Sequence, residues 1–135
     1  MAPRRKLRVV VALGIIALAG CGSSAETGSA SPSPSYSAPA VPAGAVMVTL
    51  DDFAITPATL PVKPGHVTFY VTNNGKTPHN FTIIDPGGRP LFNTATISYQ
   101  HSAVLQADIA MPSYTFICTQ SGHRALGMEG TLTTG

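Results

Sequence analysis

The chain of 135 residues has no tryptophan, only two cysteines and few charges, and the last two shortages each close off a class of protein. Charged residues make up 10% of it, and the formal charge of +2 rests on Arg4, Arg5, Lys6 and Arg8. The remainder carries four basic and six acidic residues and is weakly acidic. No basic patch survives beyond the N-terminus, so nucleic-acid binding has no electrostatic footing. The apolar run Val9–Ala19 spans eleven residues, too few for the roughly 20 that a membrane-crossing helix needs. Structural zinc sites usually show close cysteine pairs, whereas Cys21 and Cys118 lie at opposite ends of this chain. Helical apolar periodicity is also missing. Present instead are 13 glycines and 12 prolines, a composition that suits a small β-rich domain.

The N-terminus reads as an export signal. The basic stretch MAPRRKLR precedes the apolar run, and small residues lead into Cys21. Leu18-Ala19-Gly20-Cys21 resembles the lipobox of bacterial lipoproteins. That resemblance implies a signal peptide over residues 1–20 and a Cys21 lipidated on sulfur that opens the mature chain. An ordinary secretory signal with a chance cysteine is the plainer alternative. Acyl chains contribute about 0.8 kcal/mol per buried methylene, and two or more anchor a protein stably. The expectation is an exported protein held on the cell membrane, facing outside the cytoplasm. Residues 21–45 then form a flexible linker of Ser, Ala, Pro and Gly with no periodicity. At about 3.1 Å per residue it extends to on the order of 70 Å.

From Val46 the composition changes. The segments VMVTLDDF, HVTFYVTN, HNFTIID, SAVLQADIA, SYTFICT and MEGTLTT alternate apolar and polar residues and read as strands. Pro64-Gly65, Asn73-Asn74-Gly75 and Asp85-Pro86-Gly87-Gly88 separate some of them as turns. Residues 46–135 are therefore expected to be one all-β domain, a Greek-key sandwich or barrel of about 7–8 strands. Residues 86–100 read equally as loop, strand or a short helical turn.

Alternate residues of a strand share a face. Tyr114, Phe116 and Cys118 are in phase, and the two aromatics mark their face as the inner one. His79 is in phase with Phe81 and Ile83, and Met128 with Leu132. His123 comes from the loop between the last two strands, with four residues between it and Cys118 and four between it and Met128. A thiolate with two imidazoles suits copper, zinc or iron; an added thioether narrows the choice to copper. A His₂Cys set with a weak axial Met describes an electron-transfer copper site, one ion per chain.

The motif PHNF at 78–81 and the C-terminal YTFICTQSGHRALGMEGTL resemble the cupredoxins, the blue-copper family that includes plastocyanin, azurin and amicyanin. A looser likeness runs from Val46 to Leu132. The resemblance implies His79, Cys118 and His123 as equatorial ligands and Met128 as the axial one. It implies that Asn80 ties the two ligand loops together, with Thr119 its partner here, and that His123 lies nearest solvent. The spacing from Cys118 to His123 is longer than in plastocyanin, which leaves the reduction potential open.

Cys118, His79, His123 and Met128 each have a blander reading as core or turn residues, and only their joint register favours a site. His66 and His101 read as surface histidines, Arg124 as a solvated charge, and Ala125 and Leu126 as a small apolar rim. The first functional expectation is a monomeric, membrane-tethered electron carrier serving redox protein partners, not a catalyst. The alternative is a copper-binding module for storage or delivery, against which stand the unclustered Met47, Met111 and Met128. An oxidase or nitrite reductase would need further domains and more than the four histidines present.

Overall fold

A computed structural model of the chain describes residues 33–135. The expected signal peptide, Cys21 and the linker up to residue 32 lie outside the described residues. Nine strands follow: β1 (Val46–Asp51), β2 (Ala54–Thr56), β3 (Thr59–Val62), β4 (Gly65–Asn73), β5 (Thr82–Ile84), β6 (Pro90–Asn93), β7 (Ser102–Ile109), β8 (Ser113–Ile117) and β9 (Glu129–Thr134). A 3₁₀ turn, Arg124–Leu126, precedes β9.

The strands form two sheets, ordered β2-β1-β4-β7 and β3-β9-β8-β5-β6. β1 runs parallel to β4 and β3 parallel to β9; the other pairs are antiparallel. Period-2 patterning explains the sandwich directly. In β7, Leu105, Ala107 and Ile109 are buried while Val104, Gln106 and Asp108 are exposed. In β4, Val67, Phe69, Val71 and Asn73 point inward, and in β8 Tyr114 and Phe116 do the same. Phe69, Phe81 and Phe116 pack in sequence as tilted rings, with centroids 5.6 and 5.3 Å apart. Each fully buried ring contributes roughly 2–3 kcal/mol of transfer free energy, so this aromatic column is a main brace between the sheets.

The all-β sandwich agrees with the sequence expectation, with more and shorter strands. HNFTIID pairs as a strand only from Thr82; His79 instead makes an isolated antiparallel bridge to Ile97. Residues 86–100 hold β6 and that bridging Ile97.

The compact unit begins at Pro34, before the first strand. Tyr36 stacks on His101 at a centroid distance of 3.5 Å, and its hydroxyl donates to the Ser102 carbonyl at 3.0 Å. The Tyr70 hydroxyl donates to the Pro39 carbonyl at 3.1 Å. The end of the segment expected as free linker thus packs along β4 and β7. No helix among the described residues is long and apolar enough to cross a membrane.

Candidate metal centre

Parallel pairing of β1 with β4 sets Leu50 opposite Asn73. The two chains stay side by side as they leave the sheet, because the Asn74 and Gly75 amides both donate to the Leu50 carbonyl, at 2.8 and 3.1 Å. Asn73 is fully buried and satisfied: its side-chain amide donates to the Thr77 and Ile97 carbonyls at 2.9 and 2.8 Å, and its oxygen accepts from the Gly75 amide at 2.9 Å. One side chain thereby fixes both the 74–79 loop and Ile97. His79 is then locked to Ile97 by two backbone bonds of 3.1 and 2.7 Å.

The C-terminal segment is built differently. β8 delivers Cys118 into the core at 1% exposure. Its amide donates to the Met128 carbonyl at 3.1 Å, and the Met128 amide donates to the His123 carbonyl at 3.1 Å. The loop from 118 to 128 is therefore closed on itself by its own backbone. Met128 is fully buried at the base of that loop. His123 is half-buried, and its ring meets Phe53 edge-on at 5.5 Å. Arg124 and Glu129 form an ion pair across the loop.

Three donor atoms converge. His79 Nδ1 lies 3.0 Å from His123 Nδ1, and Cys118 Sγ lies 3.9 Å from the former and 3.7 Å from the latter. A point equidistant from all three is about 2.1 Å from each, within the roughly 2.0–2.3 Å span of metal–nitrogen and metal–thiolate bonds. The set fits one ion with two borderline ligands and one soft ligand, without rearrangement of the chain.

Asn80 and Thr119 tie the two segments together twice. The Asn80 amide donates to the Thr119 hydroxyl at 2.6 Å, and the Thr119 amide donates to the Asn80 oxygen at 2.8 Å. His66 and His101 stand apart from the cluster: His66 pairs with Asp108 on the surface at 3.0 Å, and His101 carries Tyr36. Leu126, Ala125 and Phe53 are exposed beside His123.

Sequence reading missed the groups behind His79. Its Nε2 lies 3.1 Å from the Thr77 hydroxyl and 3.3 Å from Asp52 Oδ1. Asp52 in turn accepts from the Thr77 hydroxyl at 2.8 Å, the Thr77 amide at 3.1 Å and the Lys76 amide at 3.1 Å. The Thr77 amide and then its hydroxyl hold the Asp52 pKa at about 2, so its carboxylate is charged at neutral pH. Burial pushes the His79 imidazole below its ordinary pKa; Asp52 opposes this and His123 adds to it. A neutral ring is the form that binds a metal.

Residues 43–135 match the family model described as copper binding proteins, plastocyanin/azurin family. No curated protein matches the chain in sequence. Among solved structures, reduced auracyanin from the photosynthetic bacterium Roseiflexus castenholzii is 20% identical with a TM-score of 0.62, over 68% of this chain and 99% of that one. Auracyanin B is 22% identical with a TM-score of 0.63, over 72% of this chain and 92% of its own. An azurin from the obligate methylotroph Methylomonas sp. strain J is 18% identical with a TM-score of 0.59, over 67% and 96%. These likenesses concern the fold, and the family match covers the β-sandwich with its His79, Cys118 and His123 cluster. On that ground the chain belongs to the plastocyanin/azurin family of copper-binding proteins, the cupredoxins.

Proposed function

We propose that this protein carries single electrons between redox proteins outside the cytoplasm, through one type 1 copper ion that His79, Cys118 and His123 would hold, with Met128 as a weaker fourth ligand. The observation that carries the reading is the triangle of donor atoms with sides of 3.0, 3.7 and 3.9 Å. Copper supplies one-electron exchange between Cu(I) and Cu(II) in such a His₂Cys set.

The chain's own contribution is to hold the donors still and keep water out. Buried His79 and Cys118 form the dry side, and Asn80 with Thr119 keeps the two ligand segments from separating. Rigid donors suit both oxidation states, so little rearrangement accompanies transfer. His123, partly exposed and rimmed by Phe53 and Leu126, is where a partner approaches. Redox encounters use small, weak interfaces, and a rim of this size suffices for one. The protein acts as a monomer and is not a catalyst. Cys21 carries the lipid that holds it on the membrane.

The test is spectroscopic. Cu(II) added to the purified protein gives an intense visible thiolate-to-copper band and a reversible one-electron wave, and Cys118→Ser abolishes the band. A colourless protein that holds Cu(I) tightly and shows no reversible wave would overturn the carrier in favour of copper storage or delivery. Separately, Cys21→Ser moves the protein from the membrane fraction to the soluble one; unchanged fractionation would sink the tether.

A further inference from the structure

We infer that Asp52, in the turn between β1 and β2, is a positioning residue for the metal centre: its carboxylate fixes the protonation site on His79 and sets a negative charge behind that ligand which favours Cu(II) over Cu(I). The inference rests on His79 being a copper ligand, as proposed above.

The hydrogen-bond inventory around Nε2 settles the tautomer. A carboxylate accepts only, so Asp52 Oδ1 at 3.3 Å requires a proton on Nε2. The second neighbour, the Thr77 hydroxyl at 3.1 Å, has committed its own proton to Asp52 at 2.8 Å and can only accept from the ring. Both partners of Nε2 are acceptors. A neutral imidazole with its proton on Nε2 keeps the lone pair of Nδ1 free, and Nδ1 is the atom that faces Cys118 and His123. A ring partner of this kind orients a ligand, fixes its tautomer and raises its basicity.

The carboxylate is itself fixed by three donors, the Lys76 amide and the amide and hydroxyl of Thr77. The approach is also tight. A Cβ on Gly75 would stand 2.7 Å from the Asp52 amide, from Asp52 Oδ1 and from His79 Nε2, so only glycine fits there. Phe53, which follows Asp52, has φ of 68°, a costly region for a bulky side chain, and it faces His123. The same turn therefore touches both imidazoles.

A fixed negative charge near a redox ion stabilises the more positive oxidation state. Removing it raises the ratio of Cu(I) to Cu(II) affinity.

Two measurements test this. In the metal-free protein, ¹⁵N imidazole spectra place the His79 proton on Nε2, and Asp52→Ala shifts population to the Nδ1–H tautomer. In the copper-loaded protein, Asp52→Asn, which keeps an acceptor oxygen and loses the charge, retains the visible band. It raises the Cu(I):Cu(II) affinity ratio about tenfold, equal to about 59 mV in potential for one electron. An Nδ1–H tautomer in the parent, a tautomer indifferent to Asp52→Ala, or a ratio unchanged or lowered in Asp52→Asn overturns the inference. If Asp52→Ala does not fold, the parent tautomer and the Asp52→Asn potential decide it. Failure of the parent to colour with copper would sink the functional reading, while the metal-free tautomer would still decide this one.

Discussion

His79 and His123 turn the same atom toward Cys118 Sγ, at 3.9 and 3.7 Å, yet they are held in opposite ways. His79 is fully buried, its backbone is bridged to Ile97, and its rear nitrogen is met by Asp52 and Thr77. These contacts come from three separate parts of the chain. His123 is partly exposed and sits in a loop whose backbone bonds run to Gln120, Leu126 and Met128. One half of the site is over-determined by the sandwich; the other is set by a local loop. The difference suits a centre that must be rigid inside and reachable from outside.

Removing each ring separates the two histidines most strongly. His79→Gly and His123→Gly both lose the visible band. His123→Gly leaves an opening at the surface, so millimolar imidazole enters and restores a band, with a urea midpoint near the parent's. His79→Gly empties a buried position and costs about 2–4 kcal/mol in urea melts, and added imidazole does not restore the band. Equal rescue of the two variants would show that burial does not separate them.

A smaller effect comes from the glycines on the two sides. Gly75→Ala forces a Cβ against Asp52 and His79, and overpacking of this kind costs about 1–3 kcal/mol. It also weakens copper affinity by displacing the group behind His79. Gly122, in the loop before His123, has φ of 80° and open space around it. Gly122→Ala therefore loses only the backbone term, about 1 kcal/mol. Urea denaturation of the metal-free proteins reads both, and a costlier Gly122→Ala would reverse the assignment of which side is tightly packed.

The same contrast decided what could be read from the sequence. Cys118, His123 and Met128 fall within eleven consecutive residues behind a strand whose alternation sets the face of the cysteine, so their placement needs only local geometry. β1, β4, β7, β8 and β9 were legible from the same period of two. β2, β3 and β6 have three or four residues, with Pro57, Pro61 and Pro90 in or beside them. Their pairing is tertiary, and no local pattern announces it. HNFTIID looked like a continuous strand because His79, Phe81 and Ile83 alternate, but pairing with β8 starts at Thr82 and the partner of His79 is Ile97. Asp52 and Thr77 were invisible for a stronger reason. An acidic pair in LDDF reads as a solvated turn, and only the parallel register of β1 on β4 brings it against the 74–79 loop.

The finest comparison sets Asp52 against a second turn carboxylate, Asp85, which plays the same local part away from the metal centre. Asp85 accepts from the Arg89 amide at 2.8 Å and pairs with the Arg89 guanidinium at 3.3 Å. The Arg89 amide first, and its charge after that, hold the Asp85 pKa below the ordinary carboxylate value. A depressed folded-state pKa gives stability that is full above the unfolded value, roughly pH 4, and lost as pH falls through the folded one. Asp85→Asn therefore lowers the melting temperature slightly at pH 7, and the gap from the parent closes as the pH drops below about 4. Because Asp85 stands outside the donor cluster, the same variant leaves the visible band and the reduction potential where they were. A potential shift equal to that of Asp52→Asn would mean that any lost carboxylate acts through net charge alone, and the contact between Asp52 and His79 would lose its special standing.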